Sequence, residues 1–121
     1  MLHHTIAANG QDKYGNPWIR KYIFPGALLP SLTQLSAAVA DRFIIEDVHN
    51  FGPDYDKTLM AWYRNFTGRY DEIKDHYDER FYRMWEFYLL ICAAAFRTRN
   101  LQLFQIVMRR VEPSATYIVA R

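Results

Sequence analysis

Phe43-Ile44-Ile45-Glu46-Asp47-Val48-His49-Asn50-Phe51-Gly52-Pro53-Asp54-Tyr55 is the stretch on which the fold turns. Phe43 to Phe51 is rich in β-branched and aromatic residues and is stopped by Gly52-Pro53, so it reads as a strand. Asp54 is placed to cap a helix running through Trp62 and Phe66 to Gly68. A strand that hands the chain straight to a helix belongs to an α/β sheet.

Upstream, Met1 to Ala7 reads as another strand, ended by Asn9-Gly10, and residues 9–17 form a polar loop. Trp18 to Phe24 is short and amphipathic, closed by Pro25-Gly26. Ser31 and Gln34 make a capping box for a helix to about Val39. Downstream, Asp71 or Asp78 opens the longest helix, which reaches about Arg97. In it Phe81, Trp85, Tyr88, Cys92 and Phe96 recur on one face. Glu79 stands four residues before Arg83, the favourable order for a helical ion pair. Leu101 to Met108 predicts a third strand, and Thr116 to Ala120 a short edge strand.

Strands separated by helices predict a sheet covered on both faces, but three strands make a thin sheet for so many helices. The first strand has no element before it, and an open edge invites pairing. Residues 1–121 are therefore expected to be a single partial domain of a larger fold, and to self-associate as a homo-oligomer.

Half of the 121 residues are hydrophobic and 23% are charged, a balance that excludes a disordered chain. Aromatic residues make up 17%, enough to suit a compact core or an apolar channel. A lone cysteine, Cys92, excludes an internal disulfide framework and fits a reducing cytoplasm. The longest apolar run, Phe87 to Phe96, is about half of the roughly 20 residues that cross a bilayer. The opening residues show no export signal, so a cytoplasmic location is expected.

Net charge is +2, but residues 97–121 hold five arginines (Arg97, Arg99, Arg109, Arg110, Arg121) against one acid, Glu112. Such an edge could meet anionic lipid head groups at the inner face of a membrane, or simply be solvated. No basic–aromatic reading motif accompanies it, so no nucleic-acid partner is expected.

The five glycines are scattered, so no Gly-rich cofactor loop is present in this sequence. His3 and His4 point to opposite faces of a strand, and with His49 and His76 they show no metal spacing. Cys92 falls on an apolar helix face, where a thiol is ordinarily packing. The strand ends carry more. His4-Thr5-Ile6 ends the first strand and Glu46 to Gly52 ends the second, leading into Asp54-Tyr55. Ligands of open α/β sheets gather beyond the carboxyl ends of parallel strands, which puts His, Tyr and carboxylates near one rim. Ordinary loop and cap residues remain the competing reading.

These segments resemble the cyclopropane-fatty-acyl-phospholipid synthase family, which includes the mycolic acid cyclopropane synthases. The resemblance is carried by His4-Thr5-Ile6, Pro17-Trp18-Ile19, Lys21-Tyr22-Ile23-Phe24-Pro25, Leu29-Pro30-Ser31, Glu46-Asp47 and His49-Asn50-Phe51-Gly52. It continues through Asp54-Tyr55-Asp56, Thr58-Leu59, Ala61-Trp62, Arg80-Phe81, Arg83-Met84, Leu103 and Gln105. It implies the C-terminal portion of a Rossmann-like S-adenosylmethionine-dependent methyltransferase: the last three strands plus a helical, acyl-covering insertion at about 54–98.

It further implies transfer of a methylene from S-adenosylmethionine to a cis double bond of an unsaturated phospholipid acyl chain. The alternatives are a fatty-acid or mycolate methyltransferase without ring closure, and a non-catalytic domain binding an acyl chain or a protein partner. By the resemblance, a bicarbonate ion accepts the proton and is held by His4, the backbone at Ile6, and Tyr55. Phe51, Trp62, Phe81, Trp85 and Tyr88 become candidates for lining the acyl tunnel, against the simpler reading that they are core. Glu46 is either a site carboxylate or an ion-pair partner. The family's donor-binding loop has no counterpart in this sequence, so the chain alone is expected to be inert.

Overall fold

The computed structural model describes residues 1–10, 16–111 and 118. The elements are β1 (Leu2–Ala8), α1 (Pro17–Tyr22), α2 (Leu32–Val39), β2 (Phe43–Asn50), α3 (Gly52–Arg69), α4 (Glu79–Arg97) and β3 (Leu101–Arg110), with a 3-10 turn at Tyr70–Glu72. The strand expected at Thr116 to Ala120 lies outside the described residues.

The helix starts follow from short polar side chains. Asn16 accepts from the backbone N–H groups of Trp18 and Ile19 at 3.0 and 3.1 Å, and Pro17 tolerates the first turn. Ser31 and Gln34 form the expected reciprocal box at 3.2 and 2.9 Å. Asp78, not Asp71, caps α4 through the Phe81 N–H at 2.8 Å. The start of α3 differs from expectation. The helix begins at Gly52, two residues before Asp54, because the Asn50 side chain accepts the Gly52 N–H at 2.9 Å and Pro53 suits a first turn.

The sheet has the order β1-β3-β2, and both pairings are antiparallel. β1 and β2 thus run in the same direction but are not neighbours. β3 returns between them, a long-range pairing that no local pattern in the sequence announces.

Alternation along the strands sorts the core into two faces. Ala7, Phe104, Ile106 and Met108 pack with Leu32, Leu35 and Val39 of α2, along with Phe43 and Ile45. On the other face Ile6, Leu101 and Leu103 meet α3 and α4 through Leu59, Leu89, Ala93 and Phe96. Leu59, Leu89 and Phe96 are each 1% exposed, and burying such a side chain is worth about 1.5–3 kcal/mol.

A bulge between Ile45 and Asp47 inserts one residue into β2. It reverses the alternation, so Phe43 and Ile45 face α2 while Asp47 and His49 face the other way, opposite Val107 and Gln105. A row His4–Gln105–His49 therefore crosses the sheet on the face that α3 and α4 partly cover.

Candidate functional site

The carboxyl ends of β1 and β2 and the start of β3 are tied together by a polar network. The Gln102 side chain, 8% exposed, donates to Asn9 Oδ1 and to the Arg99 carbonyl, each at 2.8 Å, and accepts from Asn50 Nδ2 at 2.8 Å. Asn9 also donates to the Arg99 carbonyl. Arg99 sits in the left-handed region, with φ of 64°, where α4 turns into β3. Every polar atom named here has a partner, so the network holds the rim rigidly.

Above this rim lies a cavity of about 250 Å³, walled by Ile6 of β1, Arg20 of α1, Phe24, Tyr55 of α3, and Tyr88 and Cys92 of α4. A second, shallow concavity of about 910 Å³ lies over the uncovered half of the sheet, beside Leu2, Asp47, His49, Gln105 and Arg109. The smaller one is the better candidate for chemistry on an apolar group, because its wall is mostly aliphatic and aromatic.

Tyr55 is wedged edge-on between Phe96 at 5.0 Å and Trp62 at 5.9 Å. Burial pushes its phenol above the usual range, with the neighbouring Cys92 adding to the effect. Burial likewise pushes Tyr88 up to about 12 and Cys92 up to about 11. All three stay protonated at neutral pH. They can donate hydrogen bonds, and they leave their part of the wall uncharged.

Ile6 has a second feature, set by register. The Met108 N–H donates to the Met1 carbonyl at 2.8 Å, so odd-numbered residues of β1 turn their backbone groups toward β3. Even-numbered residues turn theirs outward, as Ala8 does in donating to the Pro30 carbonyl at 3.0 Å. The N–H groups of His4 and Ile6 thus point away from the ladder, at the edge of the sheet.

His4 shares the Ile6 face but is exposed and outside the cavity wall, one two-residue step (about 7 Å) back along β1. Its Nδ1 lies 3.2 Å from Gln105 Nε2, within hydrogen-bond reach. His3 points to the α2 face, beside Leu35 and Val39. Of the aromatic candidates, Tyr88 lines the cavity and the others do not. Trp85 leans on Tyr88 at 5.0 Å and Phe81 stacks on Trp85 at 6.0 Å, a ladder leading away from the cavity. Phe51 packs against the core and stacks on His49 at 3.9 Å. Trp62 is 47% exposed. Glu46 is held by Arg109 at 2.9 Å in a half-buried ion pair.

Residues 1–106 match the family described as mycolic acid cyclopropane synthetase. The chain belongs to this family. A cyclopropane-fatty-acyl-phospholipid synthase of Escherichia coli (strain K12) is 51% identical over 110 residues, covering 91% of this chain and 29% of that protein. Tuberculostearic acid methyltransferase UfaA1 of Mycobacterium tuberculosis is 38% identical over 117 residues, 93% of this chain and 26% of that protein. Mycolic acid cyclopropane synthase CmaA1, crystallised with SAH and CTAB, superposes with a TM-score of 0.79 at 27% identity over 89% of this chain and 43% of its own. The three strands and their helices are thus a portion of the α/β methyltransferase fold of the cyclopropane synthetase family.

In this member of the family, sequence reasoning passed over the α1 side of the cavity. Arg20 and Phe24 reach the wall because a six-residue helix docks there, and its docking site is a tertiary fact. Cys92, read as packing, is in the wall with its thiol held protonated, the unreactive form.

Proposed function

We propose that this chain is the C-terminal part of an S-adenosylmethionine-dependent cyclopropane synthase acting on unsaturated phospholipid acyl chains. The observation that carries this reading is the cavity itself. Its wall puts Ile6 and Tyr55 together with neutral aromatic and aliphatic groups, in a chain 51% identical to a cyclopropane-fatty-acyl-phospholipid synthase. An acyl chain favours such a lining, because it removes apolar surface from water at about 25 cal/mol per Å². On this reading residues 54–98 form the cover over the acyl chain.

The chemistry begins when an alkene carbon takes the sulfonium methyl, so that the donor leaves as a neutral thioether and a cation forms on the adjacent carbon. A base removes a proton from the new methyl group, and the released C–H electron pair closes the ring. Bicarbonate is the base in this proposal and becomes carbonic acid. This chain would hold it through the Tyr55 hydroxyl, the outward N–H of Ile6 and the imidazole of His4. The Tyr55 hydroxyl and the Ile6 N–H are donors at the wall, and His4 would approach from the exposed strand beside it, which suits an anion at the edge of an apolar cavity. The ring faces of Tyr55 and Tyr88 favour the cation, each by about 0.5–2 kcal/mol.

The test is a chimera in which this chain replaces the matching 110 residues of the Escherichia coli relative, expressed in a host lacking its own enzyme. Cyclopropane fatty acids that co-elute with authentic standards are the expected product. Methyl-branched chains without a ring would instead favour the ring-free methyltransferase reading, in keeping with the 38% identity to a tuberculostearic acid methyltransferase. A folded chimera that binds the donor and forms neither product would leave the non-catalytic acyl-binding reading.

A further inference from the structure

α4 carries two stripes. One, through Trp85, Leu89, Cys92 and Phe96, faces the core and the cavity. The other, Arg80, Arg83, Met84, Phe87 and Leu90, recurs at three- and four-residue steps on the far side and stays outside. Phe87 is 45% exposed and Leu90 38%. α1 lies along this second stripe, with Trp18 meeting Phe87 edge-on at 4.6 Å and Tyr22 tilted against Trp18 at 5.5 Å. Trp18, Tyr22, Arg80, Arg83, Met84 and Phe87 bound a shallow groove of about 390 Å³. The chain leaving α1 continues the apolar surface, with Phe24 and Leu28 each 51% exposed, and Phe24 is also part of the cavity wall.

The groove has one sign of charge. Arg80 makes no ion pair among the described residues, and Lys21 stands beside the groove, over the Tyr22 ring at 5.0 Å. The nearby acids are engaged elsewhere or weakly. Asp78 caps α4, Glu86 accepts from Tyr63, and Glu79 pairs with Arg83 at 3.4 Å, a solvent-exposed contact of little strength. Trp and Tyr rings settle at the head-group level of a bilayer, and Lys and Arg beside them draw anionic lipid.

We propose that the α1–α4 groove is the surface by which the protein lies on an anionic phospholipid bilayer, with the nearby acyl cavity opening toward the lipid. This rests on the acyl-chain reading of that cavity. Of the basic residues from 97 onward, Arg97 and Arg109 are already held in ion pairs. Arg97, the last residue of α4, pairs with Asp56, and Arg109, next to last in β3, pairs with Glu46.

The test is co-sedimentation of the 121-residue chain with phosphatidylcholine vesicles, with and without phosphatidylglycerol. The expected result is binding that requires phosphatidylglycerol, fades as sodium chloride is added, and weakens about tenfold or more in R80E/R83E. W18A/F87A should weaken it without changing the salt dependence. The control R64E/R110E makes the same net charge change elsewhere and should bind as the wild type does. Equal binding to pure phosphatidylcholine, wild-type binding by R80E/R83E with a native circular dichroism spectrum, or equal loss in the control would overturn the proposal. Turnover of the chimera on detergent-dispersed lipid keeps the two ideas apart. Its absence beside groove-dependent vesicle binding would sink the catalytic reading and leave this surface standing.

Discussion

Burial holds the Tyr55 phenol above its ordinary range, further from ionisation at neutral pH. A phenol pushed above its usual range is a donor at neutral pH, not a base. Tyr55→Phe keeps the ring contacts with Phe96 and Trp62 and removes only the hydroxyl. In the chimera it should lower kcat about 10²-fold, the usual cost of losing one preorganised donor, with donor affinity unchanged. Unaltered kcat would remove Tyr55 from the anion site. Cys92 and Tyr88 give a second expectation. Their folded-state values, about 11 and about 12, lie above the ordinary 9.0 and 10.0. The unfolded chain therefore ionises first as pH rises, and it gains stability relative to the folded state. Stability should be complete below pH 9 and fall between about 9 and 12, read as a falling melting temperature. Cys92→Ala should shrink the early part of that fall, and an unchanged profile would contradict the assignment.

At the scale of elements, the start of α3 decides where Tyr55 stands. A Cβ placed on Gly52 would meet Asn50 Oδ1 at 3.1 Å, Gln102 Oε1 at 3.2 Å and Arg99 Nη1 at 3.3 Å. Gln102 is buried and pinned by three hydrogen bonds, so it cannot give way. Gly52→Ala should then destabilise the chain by about 1–3 kcal/mol, as overpacking does, and shift the urea midpoint down. A neutral result would show that the rim relaxes. The bulge at Glu46 is the other deciding element. It turns His49 and Phe51 to the face of His4 and Ile6, and the Glu46–Arg109 pair holds the inserted residue.

For the whole molecule, the open edges of the sheet matter most. Among the described residues β1 has only the bridge from Ala8 to Ser31 on its outer side. A strand with outward N–H and C=O groups is a template for another strand. The 121-residue chain should self-associate with rising concentration, as measured by light scattering after size exclusion. Leu2→Pro should weaken this, since by register the Leu2 N–H points outward and proline blocks an edge without breaking the ladder. A wild-type chain that stays monomeric at high concentration would refute the expectation.

The sequence by itself determined the elements, their caps and the likeness to a family, because capping boxes, periodicity and turn residues act over three or four neighbours. Ser31 with Gln34, the face of α4, and the strand from Leu101 were all legible in this way. Asn50 displacing Asp54 at the start of α3 was not, since it depends on a neighbour held by Gln102 from another strand. Only the tertiary structure decided that β3 lies between β1 and β2, that a bulge reverses the face of His49, and that Ile6 and Tyr55 share a cavity wall while His4 stands outside it. Those outcomes depend on pairings between residues about 50 to 100 positions apart, such as Asn50 with Gln102 and His4 with Gln105. No local pattern encodes which distant strand a given strand will meet.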